Sequence, residues 1–169
     1  PTNFEATVFL KPFEFTGSMA QESTSASVDF GVSYNEEEIF STGISATFKT
    51  DSMNSPKTID GYLQYRAVKI DAEANVEKIE KIISGETDNT TDQEILDAIN
   101  KEIKAKISKD GSKIADIELR TSQGEMVPVL VFNDGTVENA ESYFDNFSGK
   151  LEEFFNRIGS QLDSNFQPS

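Results

Sequence analysis

Asp71 and Glu73 occupy alternate positions in one stretch of the chain, and Asp116 and Glu118 repeat that spacing further on. Residues two apart on a strand point to the same face, so the four carboxylates converge if the two strands are neighbours. Such a group could hold Mg²⁺ or Ca²⁺, which need only oxygen ligands, or supply an acid and base pair. The plainer reading is the wet face of half-buried strands, where acidic side chains are ordinary. The expectation is therefore no metal and no cofactor. The loop ETDNTTDQE, residues 86–94, has the composition of part of a calcium loop but lacks the glycine and terminal bidentate glutamate of the EF-hand pattern. It reads more simply as a lead into a helix cap.

Other chemistries lack their reagents. Without histidine the chain has no ordinary neutral-pH base, and without cysteine it has no thiolate, zinc finger or disulfide. The glycines are too far apart for a Walker loop or a G-x-G-x-x-G turn, and neither an S-x-x-K dyad nor a G-x-S-x-G elbow is present. A non-catalytic protein is expected.

Thirty acidic residues stand against fifteen basic ones, a net charge of −15. That balance repels polyanions, so no direct nucleic-acid contact is expected. The one basic concentration is Lys101, Lys104, Lys106, Lys109 and Lys113. It reads either as the cation-rich C-terminal end of a helix or as a docking spot for an acidic surface. Two glycosylation-like triplets, at Asn89 and Asn146, read as chance, the second because Phe147 within it belongs to an apolar stripe. No apolar run approaches the roughly 18 residues of a membrane span, and no signal peptide is seen after Pro1. A cytoplasmic protein, or a part of a soluble or virion assembly, is the expectation.

The elements that would position these residues follow from periodicity. Residues 4–15, 26–34 and 42–49 alternate as strands, with GSMAQESTS and NEEEIF between them as loops. DSMNSPKT reads as a polar break before one strand, IDGYLQYRAVKID, although Ser55 before Pro56 could equally start a helix. ANVEKIEKIISG predicts a short helix stopped by Gly85, and residues 92–108 a longer one capped by Asp92, with Ile95, Leu96, Ile99, Ile103 and Ile107 on one stripe. KIADIELRT and MVPVLVF make a hairpin about SQGE, with Pro128 near an edge or bulge. Thr136 would then cap the last helix. The sum is a single domain over residues 1–169, of α+β class. It has an antiparallel sheet of about five to six strands, two central amphipathic helices, and a long C-terminal helix packed on the sheet.

Seven of the thirteen phenylalanines lie in residues 4–48 and six from Phe132 onward, while residues 59–117 hold eleven of the fourteen isoleucines. The two ends share an aromatic vocabulary and should meet, the last helix lying on a sheet face of Phe9, Phe30 and Phe48. Val137, Ala140, Phe144, Phe147, Leu151, Phe154 and Ile158 step by three and four, a heptad seam that suits a core helix or a partner chain. Tyr143 and Phe155 widen the stripe and Gly149 and Gly159 weaken a free-standing helix, which favours core, with part of the stripe reaching another chain. The glycines could also mark a kink or close approach.

The leading functional expectation is a non-catalytic interaction or assembly protein, a structural subunit, adaptor or chaperone-like binder. Its protein partner is self or a larger assembly, met through Phe144, Phe147, Leu151, Phe154 and Ile158. Two alternatives stand beside it. One is an acidic mimic of DNA, with Glu36, Glu37 and Glu38 in place of phosphates. The other is a small-ligand cup between sheet and helix.

Overall fold

The computed structural model describes residues 1–50, 52–85 and 91–166. Among them, ten strands form one antiparallel sheet in which every strand pairs with its sequence neighbour. The strands are β1 (Thr2–Leu10), β2 (Phe13–Gln21), β3 (Ser25–Tyr34), β4 (Glu37–Lys49), β5 (Ser52–Tyr65), β6 (Val68–Ala74), β7 (Ile103–Lys109), β8 (Ser112–Ser122), β9 (Glu125–Phe132) and β10 (Val137–Asn139). Between β6 and β7 the chain makes α1 (Val76–Ser84) and α2 (Asp92–Glu102), and it ends in α3 (Glu141–Phe166).

The sheet thus has ten strands where five to six were expected. Pro12 sits in a turn that divides residues 4–15 between β1 and β2, and β2 runs on through the polar segment read as a loop. DSMNSPKT is strand from Ser52 onward, with Pro56 opposite Phe48 at a register shift, while Asp51 lies outside the described residues. Arg66 and Ala67 form a turn that divides the expected single strand into β5 and β6. Several hairpins close with paired positive φ angles, at Asn35 and Glu36, at Asp110 and Gly111, and at Gln123 and Gly124. That backbone matches the right-handed twist of the flanking strands.

α2 stops at Glu102, six residues short of the expected end at 108. Residues 103–109 satisfy two patterns at once, since Ile103 and Ile107 are four apart and Ile103, Ala105 and Ile107 also alternate. The open edge of β6 decides between them, pairing Ala74 to Val68 with Ile103 to Lys109, a setting in which β-branched side chains pack well. The N-cap is Thr91 rather than Asp92. Its hydroxyl accepts from the Glu94 N–H while Glu94 accepts from the Thr91 N–H, a capping box. α1 begins after its cap Asn75 and ends at Gly85, as its sequence indicates. Thr136 caps no helix: residues 137–139 extend the sheet as β10, and α3 starts at Glu141, whose N–H donates to Asn139 Oδ1 at 2.8 Å. Pro128 lies on β9 just beyond the three residues paired with β10, close to the sheet edge.

One sheet face is apolar. Val8, Phe15, Val32, Phe40, Tyr65 and Val68 stand opposite one another in a single cross-strand row, and Leu63, Ile70, Ile107, Ala115 and Phe132 in the next. α3, about 39 Å long at 1.5 Å per residue, suits a sheet whose strands are spaced about 4.8 Å apart. Its Phe154 and Ile158 join Phe13, Val32, Ile39 and Phe40 in one core cluster. Phe144 packs on a second, formed by Ile107, Ala115, Leu130 and Ala140. The aromatic ends of the chain do meet, although through Phe13, Phe15 and Phe40 rather than Phe9, Phe30 and Phe48. Phe9 is 65% exposed, and Phe30, 38% exposed, meets Phe40.

Candidate interaction surfaces

The opposite sheet face is polar, and it carries the four carboxylates. Asp71, Lys106 and Asp116 are cross-strand partners in one row, and Glu73 faces Lys104 in the next. β6 and β8 are therefore not neighbours: β7 lies between them and interleaves lysines with the acids. Lys69 pairs with Asp71 at 3.3 Å, Lys113 with Asp116 at 2.7 Å and Arg120 with Glu118 at 3.2 Å. A hollow of about 750 Å³ opens over these side chains. Within it carboxylate and ammonium alternate, so the acids neutralise nearby cations and do not converge on one point. No group of three metal-binding side chains occurs among the described residues. Part of the calcium-like loop, residues 86–90, and Asn89 of the first glycosylation-like triplet lie outside the described residues.

The interleaved lysines also revise the basic concentration. Lys104, Lys106 and Lys109 belong to β7, so they do not gather at a helix end, and Lys101 alone stands in the last turn of α2. The α2 residue Asn100 takes up the backbone of β8 where β7 has run out. Its amide donates to the Leu119 carbonyl at 2.7 Å and its carbonyl accepts from the Leu119 N–H at 3.0 Å.

Glu36 lies in the turn between β3 and β4, and Glu37 and Glu38 open β4. Glu38 accepts a hydrogen bond from the Ser41 hydroxyl at 3.0 Å. Beside them, the Tyr62 hydroxyl crosses over Gly43 to donate to Asp29 Oδ1 at 3.2 Å. A Cβ at position 43 would collide with both of those groups. Partial burial, and after it the Asp29 charge, push the Tyr62 hydroxyl above its ordinary pKa.

The helix stripe is turned toward its own sheet. Phe154 and Ile158 are 8% and 5% exposed, Leu151 packs on the same cluster and Phe144 on the second. Phe147 stands edge-on to Tyr65, their ring centroids 6.4 Å apart. Left outside are Tyr143 and Phe155, whose ring meets Phe40 edge-on at 5.1 Å. Of the seam's remaining members Ala140 is buried and Val137, on β10, is exposed.

A second apolar surface, on the N-terminal half of the sheet, gave no periodic signal beyond ordinary strand alternation. Phe4, Met19, Val28 and Ile44 are successive cross-strand partners, on the same side as the core rows. They are 58%, 44%, 49% and 58% exposed. Phe30 extends the patch into the adjoining row and Val8 stands in the row beyond it; both are exposed too. Further along the same row Ile117 and Leu130 are covered, Leu130 almost completely. One apolar row is thus sealed at one end and bare at the other. What distinguishes the ends is position relative to the helices, which sequence alternation does not encode.

No helix among the described residues is long and apolar enough to cross a membrane. Comparisons with protein-family models, with curated proteins and with solved structures find no match to this chain.

Proposed function

We propose that this protein is a non-catalytic assembly subunit that associates with a second copy of itself through the bare half of its sheet. The observation that supports this reading is the row Phe4, Met19, Val28 and Ile44, together with Val8 and Phe30, lying in water on one continuous face. Contiguous apolar patches of that kind mark interaction sites on folded proteins. The patch contains no ionisable side chain although the chain carries a net charge of −15, so its natural complement is another uncharged apolar face. Area points the same way. The chain exposes 11406 Å², whereas a compact monomer of 18.7 kDa exposes about 8,300 Å². A standard interface takes only about 800 Å² from each partner. Two sheet faces packed about 10 Å apart would bury both patches.

The polar face favours this reading over imitation of DNA, because Lys104 and Lys106 interleave with Asp71, Glu73 and Asp116, so these acids do not extend the turn carboxylates Glu36, Glu37 and Glu38 into a phosphate-like row. The test is the solution mass. The chain should scatter light as a dimer or larger species, and Ile44→Glu and Val28→Glu should each return it to 18.7 kDa with an unchanged circular dichroism spectrum. Both side chains are largely exposed, so these substitutions create no buried charge in the monomer. A wild-type chain that stays monomeric up to its solubility limit overturns the proposal, as do variants that keep the larger mass.

A further inference from the structure

We infer that the cleft between α3 and the β5–β6 turn binds an amphipathic anion, an apolar body carrying one carboxylate or sulfonate head. The cleft has a volume of about 530 Å³, within the range of small-molecule sites. Its walls include the rings of Tyr34, Tyr65 and Phe147, and Arg66, Lys150 and Arg157 border it.

The placement of charge carries the inference. Acids outnumber bases two to one in this chain, yet this cleft is bordered by three cations and a single carboxylate, Glu153, which pairs with Arg157. Lys150 and Arg157 are the only cations of α3. They stand seven residues apart, two helical turns, and so share one flank. Arg66 comes from a different element and completes the set. Neither Arg66 nor Lys150 has an ion-pair partner among the described residues.

The turn holds Arg66 in place. Its φ is 52°, a positive value of the kind that also closes the hairpins at Glu36, Asp110 and Gln123. The Arg66 N–H donates to the Ile39 carbonyl at 2.8 Å, which fixes the turn, and the guanidinium lies 5.6 Å from the Tyr65 ring centroid. The turn thereby sets a cation at the rim of an aromatic cleft. An apolar ligand body would lie against Tyr65 and Phe147 while its head meets Arg66 and Lys150, whose charge-assisted hydrogen bonds are stronger than neutral ones. This site shares no residue with the patch assigned to self-association.

The test titrates the chain with 1-anilinonaphthalene-8-sulfonate, an aryl sulfonate that fluoresces when its ring is shielded from water. One saturable site per chain is expected. Decanoate should displace the probe and decanol should compete at least about tenfold more weakly, as the loss of one charge-assisted contact implies. The double variant Arg66→Gln/Lys150→Gln should weaken the probe at least about tenfold on the same grounds, while Ile44→Glu, which bares the Phe4 row, keeps the site from which decanoate displaces the probe. Lys150→Gln/Arg157→Gln, two exposed positions on α3, repeats the comparison without touching the turn. Unaltered affinity in both double variants overturns the inference. So does equal competition by decanol and decanoate, or loss of the probe site in Ile44→Glu.

Discussion

Tyr62 shows how a single glycine shapes the polar face. Its hydroxyl reaches Asp29 because Gly43, the residue between them in the cross-strand row, has no side chain in the way. Burial and the Asp29 carboxylate both favour the neutral phenol. At the far edge of the sheet Tyr143 is raised in the same direction, first by its 2.8 Å hydrogen bond to Glu138. A tyrosine whose folded pKa lies above its unfolded value contributes stability that is complete below the unfolded pKa, about 10, and is lost as pH rises through the folded one. The urea midpoint of the wild-type chain should therefore fall as pH climbs above about 10. Tyr62→Phe/Tyr143→Phe should fall less steeply over the same window, with lysine titration common to both proteins. Equal slopes for the two proteins would remove the tyrosine contribution.

At the scale of elements, α3 covers both core clusters of the sheet, and its two glycines are its weak points. Gly149 and Gly159 have nothing within 4 Å of where a Cβ would stand, so they mark no close approach to the sheet. Each costs about 0.5–1 kcal/mol relative to alanine. Gly149→Ala and Gly159→Ala should each raise the unfolding free energy by that amount, read by urea titration, and together the effects should add, since the sites are far apart. A drop would mean the helix needs to bend there. How well the sequence announces an element depends on whether the deciding interaction is local. α1, the β8–β9 hairpin and the inward stripe of α3 are legible because cap, turn chemistry and periodicity all lie within the segment. The switch from α2 to β7 at Ile103 is not, because residues 103–109 fit both periods and the edge of β6, a partner distant in sequence, selects the strand. The same is true of β2 and β5, whose polar runs pair because their neighbours extend beside them. Of the surfaces, the stripe Phe144, Phe147, Leu151, Phe154 and Ile158 was conspicuous in the sequence and turns toward its own sheet. The bare row Phe4, Met19, Val28 and Ile44 looks in sequence like any half-buried strand face.

For the whole molecule, association has to work against charge. Two copies each carrying −15 repel over a distance of about 10 Å at 0.1 M salt and about 30 Å at 0.01 M, while contact between the bare sheet halves removes apolar surface from water, worth about 25 cal/mol per Å². The attractive term is nearly insensitive to moderate salt and the repulsive term is screened by it. Self-association should therefore tighten as sodium chloride rises from about 0.01 to 0.1 M, seen as a shift toward larger species in sedimentation. Ile44→Glu should stay monomeric across the series, because screening cannot restore a patch with a carboxylate at its centre. An acidic protein bound to a basic partner behaves in the opposite way, since salt weakens the attraction that joins them. Dissociation of the self-assembled species by added salt would therefore place charge rather than the Phe4 to Ile44 row at the interface.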